Sequence, residues 1–158
     1  MEKSLLLKIL LCVVICIVIG SLSGITTGNS INTWYATLNK PSFNPPNWIF
    51  GPMWTLLYIL MGVSVALVWH SGLSNLLVRS AIYLFVTQLI LNAFWSITFF
   101  GMQNPLLALV NIIVLLILIV TCIFYFKRIN KLAAWLLVPY LLWVSFATLL
   151  NLSIVILN

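Results

Sequence analysis

Residues 34–58 read "WYATLNKPSFNPPNWIFGPMWTLLY". The stretch holds three tryptophans, four prolines, two tyrosines and one lysine. It interrupts a chain that is otherwise close to unbroken hydrocarbon. Its first part is a stiff connector. Proline fixes φ and pushes the residue before it towards extended backbone, so residues 39–46 have little freedom left to lose. Its last part already belongs to an apolar helix that runs on to His70. Lipid-facing irregular backbone lacks hydrogen-bond partners, so the connector must sit in water, in the headgroups or over the mouth of a bundle.

Apolar segments of roughly 20 residues, enough to cross a bilayer, lie on both sides of this stretch. Five qualify, at about 5–25, 48–70, 79–100, 105–126 and 132–156. The 158 residues are 64% hydrophobic and 5% charged, whereas about a quarter of residues are charged in soluble domains. The predicted fold class is all-α: a polytopic membrane protein whose residues 1–158 form a single domain. It is a five-transmembrane-helix bundle with a long structured loop, residues 26–47, between helices 1 and 2.

Local chemistry supports the boundaries. The first segment has Lys3 and Lys8 ahead of its apolar core, as a signal peptide does, but it outruns a typical signal core. Gly20 and Gly24 form a GxxxG pair suited to close helix packing, so the segment reads as a retained span. In "FGMQNPLL", Gly101 is placed to end helix 3, Asn104 to cap helix 4 and Pro105 to open it. "SGLSN" and "KRINK" separate the remaining spans. Lys3, Lys8, Arg79, Lys127, Arg128 and Lys131 fall on one side of the bundle and Lys40 alone on the other. This bias predicts a cytoplasmic N-terminus, with the C-terminus and the first loop external.

The composition excludes several functions. Glu2 is the only carboxylate side chain, so no pair exists for general acid/base chemistry and no span carries an acid for ion coupling. His70 is the only histidine, which leaves no metal cluster. Cys12, Cys16 and Cys122 lie in apolar runs and read as small packing residues. The net charge of +6 is spread along the chain and fits membrane orientation, not nucleic acid. No internal repeat supports an inverted-repeat transporter.

Aromatic and amide side chains recur on single helix faces. Trp54 and Tyr58 share a face of helix 2, extended by Met61 and Gly62. Gln88, Asn92, Trp95 and Phe99 form a stripe on helix 3, and amides in a span face the protein interior. Gln88 and Asn111 read as interhelical hydrogen bonds; Asn92 suits a hydrogen bond or a ligand equally. Pro139 predicts a kink in helix 5 at the carbonyl of Trp135. Trp143, Ala147 and Asn151 continue one face beyond it. Asn151-Leu152-Ser153 is a glycosylation triplet, set inside a span and therefore discounted. These features describe either an aromatic, carboxylate-free cavity at the external end, suited to a flat apolar guest, or a tryptophan-rich packed core.

The blocks "WYATLNKPSFNPPNWIFGPMWTLLYILMG" (34–62), "QLILNAFWSITFFG" (88–101) and "AWLLVPYLLWVSFATLLN" (134–151) resemble the TspO/MBR family, the tryptophan-rich sensory and translocator proteins, over nearly the whole chain. The resemblance implies a homodimer of five-helix bundles in the membrane; the short tails and the lack of a cleavable targeting segment make the bacterial plasma membrane the expected location. The resemblance implies a receptor or sensor for porphyrin or haem-type tetrapyrroles and benzodiazepine-site ligands. Protoporphyrin IX or haem is then the expected ligand, with no obligatory cofactor. By resemblance the pocket takes Tyr35, Pro41, Trp54, Asn92, Trp135, Trp143 and Ala147, with the first connector as lid. It also implies two alternatives: transport of porphyrins or other apolar solutes, and light- and oxygen-dependent protoporphyrin IX degradation with Trp54 and Trp135 as the catalytic indoles. The chain departs from the sterol pattern of animal members, which needs Tyr and then a basic residue; "LNLSIVILN" has neither, arguing against sterol binding. Phe43 stands where Trp is common.

Overall fold

The computed structural model describes residues 2–158. Helix α1 runs Glu2–Ile31, α2 is the single turn Trp34–Thr37, α3 runs Phe50–His70 and α4 Leu76–Ser96. Then follow α5, Pro105–Ile129, the short α6, Lys131–Leu136, and α7, Val138–Leu157. A 3₁₀ turn, Asn47–Ile49, leads into α3, and a π-helical turn, Ile97–Gly101, ends α4. Among the described residues, five helical segments are long and apolar enough to cross a membrane: Lys3–Ile31, Asn47–His70, Leu76–Gly101, Pro105–Ile129 and Lys131–Leu157. The all-α, five-span architecture is as predicted.

The spans close into a ring in the order first, second, fifth, fourth, third. α1 packs along α3, α6 bridges α3 and α5, α7 lies on α5, and α4 returns between α5 and α1. One end of the ring carries the first connector and is called here the lid end. Lys3, Lys8, Arg79, Lys127, Arg128 and Lys131 lie towards the other, basic end.

Several boundaries differ from the sequence reading, and polar side chains explain why. α1 continues about one and a half turns past residue 25. Thr26, Thr27 and Ser30 look like loop residues but bond to α4: Thr27 Oγ1 lies 2.8 Å from Ser96 Oγ, and Ser30 donates to the Phe100 carbonyl at 2.8 Å. Those bonds replace water for hydroxyls inside the span. α4 starts at Leu76 because the Asn75 side chain accepts from the Leu77 N–H at 2.9 Å, an N-cap hidden in the "SGLSN" connector. The capping of α5 is as read: Pro105 is in the first turn and Asn104 accepts from Leu107 N–H at 3.0 Å. The residue that takes positive φ in that hairpin is Gln103, at 51°, not Gly101.

The glycines of the α1–α3 contact divide in role. A Cβ at Gly62 would meet the Val13 backbone at 2.5 Å, so this is the true point of close approach. A Cβ at Gly20 would run into the Tyr58 ring, whereas one at Gly24 meets nothing within 4 Å. The predicted close packing at the GxxxG pair therefore holds at Gly20 and fails at Gly24. Here α1 and α3 splay apart towards the lid end. The predicted break in the fifth span separates α6 from α7 just before Pro139. Ser64 secures it by donating to the Ala133 carbonyl at 2.7 Å.

Candidate functional site

The splay of α1 from α3 leaves a cavity of about 350 Å³, closed behind by α4. Gly20, Ser23, Gly24, Thr27 and Gly28 form its α1 wall. Phe50, Gly51, Trp54, Thr55 and Tyr58 form the α3 wall, and Asn92, Trp95, Ser96 and Phe100 the back. Among the described residues, no Lys, Arg, His, Asp or Glu lines it. Gly24, Gly28 and Gly51 are exposed and have open space where a Cβ would stand. The mouth is therefore a lateral window between two spans, where backbone takes the place of side chains.

The aromatic walls are held by ring contacts. Trp54 stacks on Tyr58 with centroids 5.7 Å apart, on the shared face that the sequence predicts. Trp95 stacks on Phe99 at 5.4 Å, and Phe99 meets Phe100 edge to face at 4.8 Å. Consecutive residues on an α-helix point about 100° apart, yet Phe99 and Phe100 are both buried. The π-helical turn achieves this by adding a residue to the turn and shifting the phase of the face. Trp95 is fixed further by its indole N–H, which donates to Asn151 Oδ1 at 3.1 Å. The Asn151 amide in turn donates to the Pro105 carbonyl at 2.8 Å. Asn151 is thus a buried strut, consistent with discounting its triplet as a glycosylation site.

The polar wall is a chain of buried side chains. Tyr58 donates to Asn92 Oδ1 at 2.6 Å, Asn92 Nδ2 to the Tyr140 hydroxyl at 3.0 Å, and Tyr140 to Gln88 Oε1 at 2.8 Å. Gln88 and Asn111 make interhelical bonds as expected, the latter to the Leu91 carbonyl at 3.0 Å.

The connector folds as a braced lid. Lys40 Nζ donates to the carbonyls of Tyr35 and Leu38 at 2.8 and 2.9 Å and sits 5.0 Å above the Tyr35 ring. The Tyr35 hydroxyl donates to Asn44 Oδ1 at 2.7 Å. Burial pushes the Tyr35 phenol up to about 12, so it keeps its proton as donor. Asn158 clips the lid: its side chain accepts from the Asn39 N–H and donates to the Asn39 carbonyl, both at 3.0 Å.

The seven expected pocket residues separate. Trp54 and Asn92 line the cavity. Tyr35 and Ala147 border a much smaller void of about 20 Å³, which shares Phe50, Trp95 and Phe100 with the main cavity. Trp143 lies behind Phe50, with ring centroids 6.2 Å apart, and its buried indole N–H has no acceptor among the described residues. Pro41 lies in the lid, where its carbonyl takes the Asn44 N–H at 3.0 Å. Trp135 is not brought to the cavity. It is 69% exposed on α6, next to the level of Ser64, which is ten residues and therefore about 15 Å along α3 from Trp54. The reason is connectivity: α6 starts at the basic end, and four residues do not carry Trp135 to the lid half. The α1 wall and Phe50 were not anticipated. Glycines and hydroxyls at four-residue spacing in 20–31 were the available signal for the former; Phe50 had none.

The TspO/MBR family profile matches residues 12–157. The chain belongs to the TspO/MBR family. Among TspO/MBR relatives, the tryptophan-rich protein TspO of Archaeoglobus fulgidus is 46% identical over 153 residues, covering 97% of this chain and 98% of the relative. That of Chlorobaculum tepidum is 51% identical over 125 residues, 79% of each chain. The human translocator protein is 38% identical over 120 residues, 75% of this chain and 70% of its own. TspO/MBR membership and the five spans make this an integral membrane protein.

Proposed function

We propose that the chain is a membrane receptor or sensor that takes a flat, apolar tetrapyrrole of the porphyrin or haem type, or a benzodiazepine-site ligand, into the α1–α3–α4 cavity. One observation carries the reading. A cavity of about 350 Å³ with five aromatic side chains and, among the described residues, no charged group opens between α1 and α3, within the size range of small-molecule sites. The lateral window at Gly24, Gly28 and Gly51 leaves room for the edge of a planar guest between α1 and α3. Family names point the same way: the Cereibacter sphaeroides relative is a tryptophan-rich sensory protein and the human one a translocator protein. The basic end is read as cytoplasmic in a bacterial plasma membrane, from the six-to-one distribution of basic residues.

The geometry favours binding over indole-driven degradation, since Trp54 and Trp135 stand at different depths. Titration of the purified protein with protoporphyrin IX, followed by tryptophan quenching, tests the reading. Trp54→Ala is expected to weaken binding at least about tenfold, the scale of a buried aromatic contact, and Trp135→Ala to leave it unchanged. Equal affinity in wild type and Trp54→Ala would overturn the site; absence of saturable binding would overturn the function.

A further inference from the structure

The Tyr58–Asn92–Tyr140–Gln88 chain has a direction. Each bond is donated onward from Tyr58, and the last ends on Gln88 Oε1. Gln88 is 1% exposed, and its Nε2 has no acceptor among the described residues. An unpaired buried donor is costly and rare in native interiors.

The same heavy-atom positions serve the opposite direction. Turning a carboxamide by 180° exchanges its oxygen and nitrogen in place, and a phenol proton rotates freely to suit. In that arrangement Gln88 Nε2 donates to Tyr140, Tyr140 to Asn92 Oδ1, and Asn92 Nδ2 to the Tyr58 oxygen. No bond breaks without a replacement inside the chain. Two things change at its ends. Gln88 leaves a carbonyl oxygen unpaired in place of one amide proton, a better tolerated defect. Tyr58 is left with a proton for which the neighbouring Ser23 hydroxyl and a guest compete, and both residues line the cavity. The ends are closely matched, so an acceptor in the cavity decides between them.

We infer that the cavity selects guests presenting a hydrogen-bond acceptor, such as a carbonyl or an unprotonated ring nitrogen, to the Tyr58 hydroxyl, and that taking this proton reverses the whole chain. The inference rests on the cavity being the ligand site. It makes Tyr58 a specificity-determining residue and Gln88, which does not line the cavity, a positioning residue acting through Tyr140.

Fluorenone and fluorene are flat and differ by one carbonyl oxygen. Their dissociation constants are measured on the protein in nanodiscs and corrected for partition into empty nanodiscs. Wild type is expected to prefer the ketone about fivefold, the worth of one net neutral hydrogen bond. Tyr58→Phe should bring the ratio to one. Gln88→Leu removes the acceptor of Tyr140, which then donates to Asn92 and holds the chain reversed before the guest arrives. The ratio should rise about two- to fivefold above wild type; a merely structural Gln88 would lower both affinities and leave the ratio alone. Infrared difference spectra of protein carrying ring-labelled tyrosine give a second readout that needs no Gln88 variant. Fluorenone should shift a phenol C–O band that is absent in Tyr58→Phe, and fluorene should not. Equal corrected affinities for the two probes in wild type would sink the inference while leaving the site intact. A ratio unchanged or lowered by Gln88→Leu would contradict the reversal. Saturable binding of neither probe would overturn the site and the inference together.

Discussion

Two glycines on the α1–α3 interface should respond oppositely to the same methyl group. At Gly62 an added Cβ meets Val13 Cα at 2.5 Å and Val13 N at 2.7 Å, where ordinary contact begins at 3.4 Å. The shortfall is 3.4 − 2.5, about 0.9 Å, and the obstacle is backbone, so it cannot turn aside. The helices must separate along a seam that buries Leu57, Met61 and Cys16. Overpacking of this kind costs about 1–3 kcal/mol, and a backbone obstacle places Gly62→Ala in the upper half of that range. At Gly24 the methyl meets nothing within 4 Å. Gly24→Ala should be neutral or stabilising by up to about 1 kcal/mol, from the higher helix propensity of alanine. The assay is reversible unfolding in mixed micelles with increasing SDS, followed by circular dichroism. A Gly62→Ala protein within about 0.5 kcal/mol of wild type, the usual scatter for innocuous substitutions, would refute the close approach. Equal losses at the two positions would refute the splay that creates the cavity.

Other outcomes follow from single bonds. Asn151→Leu leaves the Trp95 indole N–H and the Pro105 carbonyl without their partner and should lower the unfolding free energy by about 1–3 kcal/mol, with a red-shifted or broadened tryptophan emission from Trp95. Replacing Lys40 by Met removes the ammonium from three carbonyls. Hydrogen exchange over residues 36–46 should then accelerate about tenfold or more, since bonds to a charged donor are worth about 1.5–3 kcal/mol, while exchange in α3 stays as in wild type. The lid should also answer to alkaline pH. The Tyr35 phenol is raised from its ordinary 10.0 to about 12, so its stabilisation of the closed lid is complete below pH 10.0 and is lost as pH rises through about 12. Ultraviolet difference titration should show late tyrosine ionisation accompanied by faster exchange in the lid, with that acceleration and one tyrosine's worth of the late signal lost in Tyr35→Phe.

What could be read in advance was whatever a single helix face or a single cap determines. The five spans, the Asn104–Pro105 start of α5, the Trp54–Tyr58 pairing and the interhelical role of Gln88 all follow from spacing and hydrogen-bond need. Contacts between helices distant in sequence were less legible. Thr27 and Ser30 stay helical only because Ser96 and Phe100 stand opposite them, about 70 residues on. The phase shift that buries both Phe99 and Phe100 is a property of the π-helical turn, which residue type alone does not announce. Gly20 and Gly24 share one motif, yet only one is packed, because the obstacle belongs to α3. Trp135 shows the converse: its place in a recognised block suggested the pocket, whereas chain direction sets it on α6, in the half of the bundle nearer the basic end.

The central claim is that the space between α1, α3 and α4 holds the guest. Gly24→Leu tests it most directly, because the new side chain grows into open space on the cavity wall and disturbs no neighbour within 4 Å of its first carbon. Measured by protoporphyrin IX titration in nanodiscs, alongside SDS unfolding, the variant should be as stable as wild type and bind at least about tenfold more weakly, the loss expected when a pocket is sterically blocked. Wild-type affinity in a stably folded Gly24→Leu protein would contradict the account.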